Sequence, residues 1–242
     1  FDGAFLLPLG AGILTSIFLI AGLITHLLAV YPSYLWSFFF GLILASAYFL
    51  IRQICGFSWQ HFSVLSLGIL LGASLSLLVP TQLDTSLIMV FVSGMVAICA
   101  MILPGISGSF ILLLLGMYGA ILDAVKTLQF DTLIIFICGC LVGILSFSHL
   151  LSWLLKKHRD TTLITLTGLM IGTLPKVWPW KETLTWRTNS HGEQVPLLEQ
   201  NLSPFQFESV TSHPAQLTLA ITLMLAAFIL VLGLEKFAEK KQ

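Results

Sequence analysis

The chain is short of charge. Of its 242 residues only 9% are Asp, Glu, Lys or Arg, where a soluble domain carries roughly 25%. Basic and acidic residues number 11 each and cancel, which excludes the basic surface that nucleic-acid binding needs. Cysteine is scarce too. Cys55, Cys99, Cys138 and Cys140 lie in or beside apolar runs. Cys138-Gly-Cys140 falls short of a CxxC pair, and no histidine ligand stands near it. No metal site and no cofactor is expected, and the four read as small buried hydrophobes. No signal peptide is visible either. The chain opens Phe1-Asp2-Gly3, without Met, and enters an apolar run at once, so further sequence is expected upstream.

What is there is apolar. Hydrophobic residues make up 57% of the chain and the mean hydropathy is +0.99, which predicts an all-α polytopic membrane protein. Spans are expected at 5–29, 34–54 and 61–79, then at 131–155, 161–176 and 215–235. Two shorter apolar runs, 87–103 and 106–122, lie between these groups, with Asp84 and Asp123 at their outer limits. The only long polar stretch, 177–214, is expected to fold over one face, with Trp178 and Trp180 as anchors at the membrane boundary.

Between the two short runs the sequence reads Pro104-Gly105-Ile106-Ser107-Gly108-Ser109. Each run has 17 residues, about 25 Å of helix, against a hydrocarbon core of about 30 Å. A re-entrant hairpin, 87–122, accounts for this better than two crossings. Broken backbone at membrane depth persists only where protein or a water-filled cavity satisfies it. Free N–H groups opening the second helix, with the Ser107 and Ser109 hydroxyls, favour an anion, phosphate above all. A proline kink with serines bonded to nearby carbonyls is the plain alternative.

A faint internal repeat surrounds this motif. "LLPLGAGIL" followed by "GLILAS" is echoed by "IFICGCLVG" followed by "GLMIGT". The number of crossings between the copies is odd, which predicts an inverted-topology repeat with a re-entrant hairpin plus three spans in each copy. Residues 1–80 would hold three spans of the first copy, its hairpin lying upstream of Phe1. Residues 81–242 would hold the second copy, with 177–214 as an extracytoplasmic loop. Arg52, Lys156, Lys157, Arg159, Lys236, Lys240 and Lys241 fall on one face, against Lys126, Lys176, Lys181 and Arg187 on the other. The positive-inside rule makes the first face, and the C-terminus, cytoplasmic.

Three ionisable residues are candidates beside the hairpin motif. Arg52 and Lys176 end related spans of the two copies and are candidate charge partners for an anion; snorkelling to the boundary is the alternative. His149 lies inside span 131–155 and is a candidate proton relay; a neutral ring bonded to Ser146 or Ser148 is the alternative.

"LPGISGSFILLLLGMYGAILDAV", "FFFGLILAS" and "GLMIGTLPKVWPW" resemble the bacterial polyprenyl-phosphate transporter family, PopT type. The resemblance implies a flippase that returns undecaprenyl phosphate across the cytoplasmic membrane for lipid-carrier recycling in cell-wall building. Its partners would be that lipid and the bilayer. It also implies substrate phosphate-binding residues Pro104, Gly105, Ser107, Gly108 and Ser109, although Ser109 follows Gly108 directly, where the family often has another glycine. Two other readings stand beside it. Gly105-Ile106-Ser107-Gly108 fits the Gly-x-Ser-Gly of intramembrane rhomboid proteases, with His149 as the base. A carrier of another anion or small metabolite is the third, disfavoured because almost all charges sit at span ends.

Overall fold

The computed structural model describes residues 3–54, 56, 58–78, 86–188, 194–212 and 214–239. Cys55, Asp84, Lys240 and Lys241, which entered the sequence reading, lie outside them. The described residues form ten helices and a two-stranded hairpin: α1 (Gly3–Val30), α2 (Pro32–Arg52), α3 (Trp59–Leu77), α4 (Leu87–Ile102), α5 (Gly108–Leu114), α6 (Tyr118–Lys126), α7 (Phe130–Lys157), α8 (Arg159–Thr173), β1 (Lys181–Thr188), β2 (Gln194–Asn201), α9 (Pro204–Thr211) and α10 (Leu217–Glu239). A short 3₁₀ turn, Leu174–Val177, follows α8.

Local chemistry marks many of the ends. Pro32 opens α2, where its missing N–H costs nothing. The Ser86 hydroxyl accepts from the Met89 N–H at 3.3 Å and caps α4. Ser203 and Gln206 form a reciprocal cap for α9, with Pro204 just inside it. α2, α3, α7 and α10 are each long and apolar enough to cross a membrane.

Helix packing is built on small residues, as expected where apolar faces gain little by leaving lipid. Gly68 of α3 lies against Gly168 of α8, and Gly72 against Gly172. The pairs rise together, so α3 and α8 run parallel. α2 and α10 also run parallel. Gly41 lies against Met224, and one turn or so further on the Tyr48 and Phe228 rings meet at 5.8 Å. In a third parallel pair, Gly139 of α7 meets Phe91 of α4 and Gly143 meets Met95.

α2 and α8, by contrast, run in opposite directions. The Arg159 guanidinium at the start of α8 donates to Gln53 Oε1, just past the end of α2, at 3.3 Å. At the other end, Phe40 packs on Trp178 at 5.6 Å and Trp36 lies under the Lys181 ammonium at 4.7 Å, both beyond the end of α8. α8 is the central helix, with Thr162–Ile164, Thr167–Met170, Gly172 and Thr173 buried.

Three expectations need correction. The run 106–122 is not one helix: α5 and α6 meet at a 109° bend. Gly116 turns the chain there at φ +68°, and Met117 is fully buried under the turn. The hydropathy stays high through Leu115 and Met117, so the break is invisible to it. Stretch 177–214, expected only to fold over one face, carries the antiparallel pair β1–β2, a small addition to an otherwise helical fold. And Trp180 is not a boundary anchor: it is buried with Ala215 and Ala220, its Nε1–H donating to the Ala215 carbonyl at 2.9 Å. Trp178 Nε1–H likewise donates inward, to the Leu202 carbonyl at 2.8 Å. These two indoles tie the β-hairpin to α10. Among the cysteines, Cys138 is exposed rather than buried, facing out from α7.

Candidate functional site

The Pro104–Ser109 motif forms the tip between α4 and α5. Leu103 leaves α4 with extended backbone (ψ 128°), the geometry that a following proline requires. Gly105 then turns the chain at φ +85°, a conformation that side chains rarely adopt. A Cβ at Gly105 would run into the Thr173 hydroxyl at the end of α8, and one at Gly108 would lie 2.8 Å from the Ala97 carbonyl of α4. The two glycines thus let the tip fold tightly onto α4 while pressing against α8. α5 has only seven residues, about 10 Å of helix, so it returns part of the way only.

Ser107 stands in the capping position of α5, but its hydroxyl makes no cap bond. It is hydrogen-bonded to the Ser109 hydroxyl at 2.8 Å instead, and both residues are exposed. The serines are therefore not bonded to nearby carbonyls, as the plain kink reading required. The first N–H groups of α5 lie beside them, without helical acceptors.

Lys176 joins this tip. Its ammonium lies over the ring of Phe110, the residue after Ser109, at 4.6 Å from the centroid. It stands in the 3₁₀ turn beyond α8. Neighbouring atoms strip water from the ammonium, and Lys181 repels it, so its pKa falls below the usual lysine range although Glu199 pulls the other way. Lys181 is tied down separately. Its ammonium pairs with the Glu199 carboxylate at 3.1 Å and donates to the Lys176 carbonyl at 2.7 Å. A cavity of about 390 Å³ opens between these groups, walled by Ala73, Ser76 and Leu77 of α3 and by Lys176, Lys181 and Glu199.

The structure thus brings Pro104, Gly105, Ser107, Gly108, Ser109 and Lys176 to one place. It does not bring Arg52 there. Arg52 lies at the far end of α2, its guanidinium over the Tyr48 ring at 5.7 Å. His149 is not there either. It is exposed on α7 with no hydrogen-bond partner among the described residues. Ser146 and Ser148 donate to carbonyls of their own helix, not to the ring. Ser107 and His149 are not hydrogen-bonded, so the protease pairing has no geometric support. Sequence reasoning missed Thr173, Phe110 and Lys181. The first two sit inside the quoted segments "GLMIGT" and "GISGSF", but nothing in their residue types signals a contact between distant segments.

Comparison with known proteins places the chain in a family. Residues 1–195 match the family described as undecaprenyl phosphate translocase-like. A polyprenyl-phosphate transporter of Vibrio cholerae is 59% identical over 239 residues, covering 99% of this chain and 78% of that protein. A polyprenyl-phosphate transporter of Staphylococcus aureus is 31% identical over 193 residues, covering 72% of this chain and 68% of that protein. No solved structure matches the chain. With an apolar helical bundle folded around a broken hairpin, and with these matches, the chain belongs to the undecaprenyl phosphate translocase-like family of membrane transporters.

Proposed function

We propose that the chain carries a polyprenyl phosphate, undecaprenyl phosphate by family, across the bacterial cytoplasmic membrane, and that the headgroup is held at the hairpin tip. The observation that carries this is the Ser107–Ser109 hydroxyl pair followed directly by Phe110, on whose ring the Lys176 ammonium rests, at the tip of an apolar hairpin. A phosphate needs donors and positive charge; a long isoprenoid tail needs lipid beside the site. Exposed apolar side chains such as Leu67, Leu70 and Leu141 leave the helix flanks suited to lipid. Lys176 acts as a compact charge and the hydroxyls set orientation. With only seven residues in α5, hydroxyls and ammonium count for more than a helix dipole.

The architecture we propose is an inverted repeat, with α1, α2 and α3 matching α7, α8 and α10. Two observations support it. Exchanging α2 with α8 and α3 with α10 turns the α3–α8 pair into the α10–α2 pair, and both pairs run parallel. α2 and α8 themselves run oppositely, as members of inverted copies must. In this reading the tip of α4–α5 enters from outside, the β-hairpin lies outside and the C-terminus lies in the cytoplasm.

The test is binding to the purified protein in detergent, with polyprenyl phosphate and the matching polyprenol compared. Preference for the phosphate, reduced by Ser107→Ala, is the expected result. Equal binding of alcohol and phosphate would remove the headgroup site, and with it the reading.

A further inference from the structure

The cavity beside Lys176 has a counterpart at the opposite end of the bundle. Between the ends of α2 and α10 lies a second cavity, of about 630 Å³, whose walls include Tyr48, Phe49, Arg52, Leu232, Glu235 and Lys236. The helix contacts fix which residues of the two cavities correspond. Gly41 of α2 lies against Met224 of α10, and Gly168 of α8 lies against Leu65 of α3. Setting Gly41 on Gly168 and Leu65 on Met224 puts both helix pairs in register. Tyr48 and Phe49 then fall on Pro175 and Lys176. Ala73, Ser76 and Leu77 fall on Leu232, Glu235 and Lys236. Every one of these residues lines its own cavity. The same helix positions build a hollow at each end.

The charge balance is alike too, although it is carried at different positions, Phe49 standing where Lys176 does and Leu77 where Lys236 does. Lys176, Lys181 and Glu199 line the first cavity, and Arg52, Lys236 and Glu235 line the second. Each hollow sets two cations against a single carboxylate. Glu199 is committed to Lys181, and among the described residues no carboxylate pairs with Lys176, Arg52 or Lys236. Lys176 rests on an aromatic face, Phe110, and so does Arg52, on Tyr48. Such a contact orients a cation without neutralising it. A snorkelling side chain needs no hollow, still less two in matched register with the same excess of positive charge.

We infer that the cavity of Arg52 and Lys236 is a second docking station for a lipid phosphomonoester headgroup, at the membrane face opposite to Lys176. This rests on the phosphate-lipid reading above and adds the other end of the path. The Arg52 guanidinium can take two phosphate oxygens at once, and Lys236 supplies a point charge.

The test uses the protein in sealed vesicles of fixed orientation, with polyprenyl phosphate presented to one face at a time. Arg52→Gln with Lys236→Gln is expected to raise the half-saturating lipid concentration at the Arg52 face roughly tenfold, leaving the other face within about twofold. Lys176→Gln should do the reverse, and Arg52→Lys should keep most of the parent's affinity. No loss at the Arg52 face, or equal loss at both faces, overturns the station while leaving transport intact. Inorganic phosphate at that face should compete only at concentrations far above the lipid's half-saturating value; equal potency would assign the hollow to the free ion and overturn the inference. A parent that moves polyprenol as readily as polyprenyl phosphate overturns the transport reading itself, and this one with it.

Discussion

At the scale of single residues, Gly105 carries the most demanding position in the chain. Its φ of +85° excludes ordinary side chains, and a Cβ would meet the Thr173 hydroxyl. The left-handed backbone alone costs about 1–2 kcal/mol for a residue with a Cβ. Gly105→Ala should therefore lower the unfolding free energy by at least that amount in thermal melts. Adding Thr173→Ala should recover the steric part but not the backbone part, so the double variant should be less destabilised than the sum of the singles. Ser107→Ala removes one hydroxyl from a charged headgroup, a loss of about 1.5–3 kcal/mol, or roughly ten- to a hundredfold in affinity for polyprenyl phosphate. Affinity for polyprenol should not change. Lys176 adds a pH signature. Its lowered pKa means that the ammonium loses its proton earlier than an ordinary lysine as pH rises. Headgroup affinity should fall through that window, because only the protonated form attracts phosphate, and bound phosphate will shift the fall upward. Lys176→Arg should flatten the alkaline limb of a binding curve; an unchanged limb would mean that another group titrates.

At the scale of elements, the packing of α3 on α8 leaves no room for a Cβ. One at Gly72 would lie 2.6 Å from the Leu169 carbonyl, and one at Gly68 would lie 2.8 Å from the Thr165 carbonyl. Gly72→Val should force the helices apart and lower the melting temperature far more than any variant at the hairpin tip. Gly119→Ala in α6, where nothing lies within 4 Å, should instead stabilise by about 0.5–1 kcal/mol through helix propensity. Legibility in the sequence follows the same division. The long spans could be read because twenty apolar residues in a row have few alternatives, and α2, α7 and α10 begin and end within a few residues of expectation. The bend after α5 could not, since it depends on the backbone angle of Gly116 and not on any drop in hydropathy. The strand β1 was partly legible in the alternation Thr183-Leu184-Thr185-Trp186 but was hidden in a stretch read only as polar. The hairpin motif was legible residue by residue. Its closure against Thr173 and Phe110's place under Lys176 were not, because they join segments some seventy residues apart.

At the scale of the whole molecule, the proposed sidedness makes a prediction about access. A cysteine engineered near Gly192 should react with an impermeant reagent on intact cells, and one near Lys240 only after permeabilisation. Both positions lie outside the described residues, and the opposite pattern would reverse the orientation drawn from the Lys and Arg distribution. Whichever way the molecule faces, its centre is a pair of oppositely directed helices, α2 and α8, each with a parallel companion. Under the inverted repeat proposed above, such a core turned end over end presents much the same outline. A device of that kind has no arrow. It can lower the barrier for a headgroup in either direction, but it cannot decide which direction prevails. On the transport reading proposed above, net flow follows the gradients across the membrane, among them that of the lipid phosphate between the leaflet that releases it and the leaflet that consumes it, so that supply and demand on the two sides act as a rectifier.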